Sequence, residues 1–136
     1  MDFAIHTDKS ISETEYARLM ESVTWGSGYS GESIRRSLAA YPFVAHARSG
    51  KGELVGFVSA FSDGAFSTLL GELVVRPDSQ RKGIGRALLQ AVERNYVGIP
   101  VYAKPLGQAA LFFAACGYRE PSVPMKMMFN RNGAEG

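Results

Sequence analysis

The spacing of apolar residues changes several times along the chain, and each change marks a new element. Residues 3–6 read as a short strand. Over 12–23 the apolar positions Tyr16, Leu19, Met20 and Val23 recur at helical period, Ser12 stands where an N-cap belongs, and Glu15 sits at the capping-box spacing. Residues 25–31 carry three glycines and read as a loop, and 31–40 as a second helix with Ile34 and Leu38 on one face. Strand-like runs follow over 43–48, 53–61 and 65–75, separated by turn signals at 49–52 and at Asp63-Gly64. The period then returns to helical over 83–96, with Ile84, Leu88, Ala91 and Val92 along one stripe. A fifth strand is expected at 99–103, a short helix at 108–116 and a last strand at 125–129. The polar tail from residue 130 is expected to fray.

This order, β-α-α-β-β-β-α-β-α-β, predicts an α+β fold. Its mixed sheet is antiparallel where the strands meander and parallel across the one strand–helix–strand unit, whose crossover should be right-handed. A chain of 136 residues with 46% hydrophobic and 21% charged positions is expected to form one globular domain over 1–136. No apolar run approaches the roughly 20 residues of a membrane span, so no membrane partner is expected. The first residues lack the basic and apolar regions of a secretory signal, and Cys116 is the single cysteine, which together suggest a cytoplasmic location. A net charge of +2 does not argue for nucleic acid. Two histidines far apart and one cysteine offer little to build a metal site from, and Cys116 reads as a core residue on its helix.

Charge becomes informative only locally. Arg76, Arg81, Lys82 and Arg86 cluster where an apolar strand, Leu73-Val74-Val75, passes through Arg76-Pro77 and a polar loop into the helix at 83–96. A helix start presents unpaired N–H groups and about half a positive charge, and Gly83 and Gly85 let a ligand approach the backbone. Such a segment makes a phosphate nest. It is not a Walker A loop, because G-x-x-x-x-G-K-[ST] is absent. It is not a Rossmann fingerprint either, because Leu88 stands at the third small position and no acidic residue lies near Lys104.

Gln80-Arg81-Lys82-Gly83-Ile84-Gly85 resembles the Q/R-x-x-G-x-G/A signature of the GNAT N-acetyltransferase superfamily. The strand-plus-proline lead-in at 73–77 is similar to that family's, and Ala109-Ala110-Leu111-Phe112-Phe113-Ala114-Ala115-Cys116-Gly117-Tyr118 resembles its A-x-x-F-Y-x-x-x-G-F segment. The resemblance implies the GNAT fold, a mixed, mostly antiparallel sheet of six or seven strands flanked by about four helices. It implies acetyl-CoA as cosubstrate and no metal, with an acetyl group passing to a primary amine by direct attack in a ternary complex. By the same resemblance the amides of Arg81, Lys82, Gly83, Ile84, Gly85 and Arg86, together with Gln80, hold the pyrophosphate. The pantetheine arm runs along Leu73, Val74 and Val75, and Phe112 and Phe113 complete the coenzyme site. A backbone N–H near Val74 or Val75 polarises the thioester carbonyl, with Val74 preferred, in a slot where the sheet splays beside a bulge. Glu72 is the candidate general base and a substrate contact. Trp25 and Tyr29, with Glu32 nearby, fall where the family places acceptor-facing residues.

Two departures stand out. Phe113 occupies the place of a tyrosine that in many members protonates the leaving thiolate, so that role has no carrier there, and the usual asparagine earlier in the segment is missing. The alternative to an enzyme is therefore a coenzyme A-binding sensor or structural module. The acceptor stays open among peptide N-termini, lysines, polyamines, aminoglycosides and amino acids. Many GNAT proteins dimerise, and the apolar segment 125–129 is available for a homodimer.

Overall fold

The structure, a computed structural model, describes residues 2–23 and 28–134. The chain divides into two compact units, Met1–Ala103 and Lys104–Gly136. In the first, strands β1 (Phe3–His6), β2 (Phe43–Ser49), β3 (Leu54–Ser62), β4 (Thr68–Val75) and β5 (Val101–Tyr102) form one sheet in sequence order. The first three pairings are antiparallel and β4–β5 is parallel. Helices α1 (Glu13–Ser22), α2 (Gly31–Ala40) and α3 (Ile84–Asn95) complete the unit. The fold class is the one expected: a mixed, mostly antiparallel sheet with four α-helices once α4 (Ala109–Ala115) of the second unit is counted among the described residues.

Local chemistry explains the helices. Ser12 Oγ accepts the Glu15 N–H at 3.1 Å and Glu15 Oε2 accepts the Ser12 N–H at 2.8 Å, closing the capping box at the start of α1. Tyr16, Leu19 and Met20 are buried, as their spacing predicts. They pack with Ile34 and Leu38 of α2 and with Val44, Leu54, Phe57 and Val74 of the sheet. Alternation along β2 sends Val44 to this face, while Phe43 meets Tyr96 at the end of α3 on the other. Gly56 marks how closely α3 lies against the sheet: a Cβ there would stand 3.0 Å from both Ile84 Cγ2 and Leu88 Cδ1. With α1 and α2 on one face and α3 on the other, β2 and most of β3 are buried on both sides.

A polar cluster ties β1 and β2 to α1. His46, 2% exposed, lies 3.0 Å through Nε2 from Asp8 Oδ1, accepts a bond from Arg48 Nε at Nδ1, and stacks on His6 at 5.4 Å. Arg48 in turn donates to both oxygens of Glu15. Burial is the main cause that pushes the His46 pKa down, with Asp8 opposing it.

Two expectations need correction. Five strands are present among the described residues rather than six or seven, because 125–129 forms none. Met125, Met127, Met128 and Phe129 are all strongly exposed. A strand exists only through a ladder with a neighbour, and no described strand pairs with this segment. The fifth strand is also shorter than 99–103: Ile99 N–H bonds back to Tyr96 O in the turn that ends α3, leaving two residues to pair.

Candidate active site

The site is built on β4 and the loop that joins it to α3. Opposite Ser59 of β3 the register slips: Val58 pairs with Leu73 but Ala60 with Leu70, so Gly71 and Glu72 bulge against a single residue. Ser59 stitches the bulge closed. Its Oγ accepts the Glu72 N–H at 2.9 Å and donates to Glu72 Oε1 at 3.3 Å. Gly71 has no room for a side chain, since a Cβ would meet Ser59 Oγ at 2.5 Å and Tyr41 Oη at 2.8 Å.

The bulge turns the Glu72 carboxylate toward α1 and the end of α2. Tyr41 Oη donates to Oε1 at 2.6 Å, and Tyr16 Oη donates to Oε2 in a short bond. A carboxylate offers about four acceptor directions. Tyr41 and Ser59 fill those of Oε1, and Tyr16 takes one on Oε2, so the described residues leave one direction on Oε2. Burial, then the bond to Glu72, pushes both phenols above their ordinary pKa, so they remain donors. Tyr29, the predicted acceptor contact, stands just before α2 and is exposed. Trp25 lies outside the described residues.

Already before the bulge β4 loses its second neighbour. β5 pairs with Thr68 and Leu69 alone, so among the described residues of this unit the strand from Leu70 onward has one free edge. Arg76 N–H bonds to Val55 O at 2.8 Å. Alternation then turns the Val74 N–H toward β3 as well, and those of Leu73 and Val75 toward the free edge. Between the two amides expected near the thioester, Val75 rather than Val74 faces the opening; the side chain of Val74 is buried in the core.

The loop after β4 begins with one 3-10 turn, Pro77–Ser79. Gln80 Nε2 reaches back to Val75 O at 3.0 Å, tying loop to strand. Arg81 has φ +64° and Gly83, the N-cap of α3, φ +85°. A non-glycine residue in the left-handed region costs free energy and marks a backbone shaped for something. Gly83 has no side chain to cap α3, and no acidic residue stands in the first turn. Gln80, Arg81, Lys82, Gly83 and Arg86 are exposed, while Ile84 is buried and anchors the turn. The result is an uncapped helix start with positive dipole and positive side chains, and nothing negative in the first turn to quench it. Asp78, just before it, is engaged by Arg76 Nε at 2.7 Å, which holds its carboxyl below the usual range. A hollow of about 430 Å³ lies behind the loop, lined in part by Phe3, Ser49, Arg76 and Lys82, and shares no residue with the Glu72 cluster.

The structure thus brings Glu72 and the free edge of Leu73–Val75 to one strand, with the loop residues 80–86 directly after it. Phe112 and Phe113 lie on α4 in the second unit, where Phe113 is buried and packs edge-on against Phe112 and Tyr118 at 5.3 and 5.4 Å. Sequence reasoning missed Tyr16, Tyr41 and Ser59 as partners of Glu72. The available signal was weak: tyrosines at core positions need a polar partner for each hydroxyl.

The family profile of the acetyltransferase (GNAT) domain matches residues 39–120. GCN5-related N-acetyltransferase 3, chloroplastic, of Arabidopsis thaliana is 32% identical over 85 residues, 60% of this chain and 36% of that protein. Serotonin N-acetyltransferase 2, chloroplastic, of Oryza sativa subsp. japonica is 30% identical over 110 residues, 74% of this chain and 54% of that protein. The chain therefore spans between a third and just over a half of these curated relatives. A crystal structure of a Deinococcus radiodurans R1 protein assigned as an acetyltransferase superposes with a TM-score of 0.79 at 22% identity, over 96% of this chain and 89% of the other. That likeness establishes the shared fold. No helix among the described residues is long and apolar enough to cross a membrane, and no described group of three or more His, Cys, Asp or Glu could hold a metal ion.

Proposed function

We propose that this chain, which belongs to the GNAT acetyltransferase family, is an N-acetyltransferase that moves an acetyl group from acetyl-CoA to a primary amine. One observation carries the reading. A strand with a free edge, Leu73–Val75, runs straight into an uncapped, cationic helix start. A ligand with an extended amide-bearing arm and a pyrophosphate at one end fits that succession better than a bare nucleotide does. The residues present fit coenzyme A on their own chemistry: main-chain groups at the strand edge for the arm, and amides of Arg81 through Arg86 for the phosphates.

Bound acetyl-CoA would supply the activated acyl carbon, and the protein's part is alignment and proton handling. An ammonium with pKa near 10.4 is neutral about once in 10³ molecules at pH 7, so the acceptor must lose a proton first. The remaining acceptor direction on Glu72 Oε2 receives it, directly or through a water. The free nitrogen then attacks the thioester carbonyl carbon. The C–N bond forms, the C–S bond breaks, and the second amine proton goes by water to the departing sulfur, since Phe113 has no hydroxyl to offer. The N–H of Val75 is the backbone donor suited to the carbonyl oxygen.

The test is release of free thiol from acetyl-CoA in the presence of a panel of amines. Turnover on at least one amine supports the reading. Tight coenzyme A binding without turnover on any amine would favour the sensor role that the Phe113 departure keeps open.

A further inference from the structure

The acceptor's chemistry can be read from the face of the sheet that carries Glu72. Phe61 of β3 pairs with Leu69 of β4, and Leu69 with Tyr102 of β5. Cross-strand partners share a face, so these three form one row. They are 46%, 39% and 42% exposed, although the neighbouring stretch of β3 is buried. The row leads into the Glu72 cluster through Tyr41, whose ring lies 4.6 Å from that of Phe61 and whose hydroxyl donates to Glu72. An apolar strip thus ends at one carboxylate on which the described residues leave one acceptor direction.

We propose that the acceptor is a monocationic primary amine carried on a flat apolar body, its ammonium at Glu72 and its body over Phe61, Leu69 and Tyr102. This rests on the transferase reading and narrows its substrate. A single side chain, Tyr41, touches both the carboxylate and the row, so the arm between amine and ring is short. Polyamines and aminoglycosides would lay further ammonium groups over Phe61, Leu69 and Tyr102, which carry no charge themselves, at a desolvation cost. Asp63, in the hairpin turn after β3, is a carboxylate outside this row, its Oδ1 engaged by the N–H groups of Ala65, Phe66 and Ser67. Aromatic rings also favour a flat partner by offset or edge contact.

The experiment compares kcat/KM for 2-phenylethylamine and tryptamine with that for spermidine, kanamycin and a short peptide with a free N-terminus, at saturating acetyl-CoA. The aromatic monoamines are expected to lead by about 10-fold or more. Phe61→Ser, at a half-exposed position, is expected to raise KM for 2-phenylethylamine by about 10-fold while kcat and acetyl-CoA affinity hold. A lead for spermidine, kanamycin or the peptide would overturn the inference and leave the transferase intact. An unchanged KM in Phe61→Ser would overturn it also. Failure of the protein to bind acetyl-CoA by calorimetry would remove the transferase reading and this inference with it.

Discussion

The two ends of the site are held by opposite means. On the donor side the work falls to the backbone: strand edge, 3-10 turn, a left-handed Arg81 and Gly83, and helix start succeed one another without a break in the chain. On the acceptor side it falls to side chains that meet from four places, Tyr16 on α1, Tyr41 after α2, Ser59 on β3 and Glu72 on β4. A backbone site tolerates most side-chain changes but not a new charge or a lost glycine. A side-chain cluster is sensitive to each hydroxyl and indifferent to the loop. The contrast implies that binding of the coenzyme and handling of the amine can be damaged separately.

The largest effect is expected from Gly85→Asp, which sets a carboxylate among the amides proposed to hold the pyrophosphate. Acetyl-CoA affinity should fall by at least about 100-fold, since charged groups at such termini are worth more when partly buried. Calorimetry showing unchanged affinity would break the donor half of the comparison. Next comes Glu72→Gln, expected to lower kcat by about 100-fold near neutral pH and by much less above pH 9, where more amine is already free. A pH profile parallel to the parent's would remove Glu72 as the proton acceptor.

Gly71→Ala should act on the acceptor side through packing. The added Cβ drives into Ser59 and Tyr41, at about 1–3 kcal/mol by thermal or denaturant unfolding, and kcat should drop with coenzyme affinity little changed. Tyr41→Phe removes one hydrogen bond to a charged partner, about 1.5–3 kcal/mol. The two phenols also set an alkaline limit. Their folded pKa lies above the ordinary 10.0, so their contribution is complete below that value and is lost as pH rises beyond it. In Tyr41→Phe the loss of stability above pH 10 should be shallower.

The smallest effect belongs to the distant cluster. Burial lowers the His46 pKa below 6.5, so its contribution is present above pH 6.5 and fades as pH falls through the folded value. Melting temperature should decline mildly in that acid range without a change in coenzyme affinity at neutral pH.

The same contrast explains what the sequence made legible. The donor loop is local, so Gln80, Gly83 and Gly85 could be read in a row, and the capping box at Ser12 and Glu15 likewise. The bulge was expected from the family and Glu72 was singled out, but its partners lie 56, 31 and 13 residues away in sequence, where no spacing rule reaches. Amide direction was equally hidden: that Val75 rather than Val74 faces the opening comes from register with β3. The missing strand at 125–129 shows the converse limit, since an apolar run states a preference while a ladder needs a partner.

The central claim, that donor and acceptor ends are separate devices on one strand, is tested most directly by steady-state kinetics of Glu72→Gln with acetyl-CoA varied at a fixed saturating amine. The account expects kcat to fall by about 100-fold with KM for acetyl-CoA unchanged. A raised KM for acetyl-CoA with kcat preserved would contradict it.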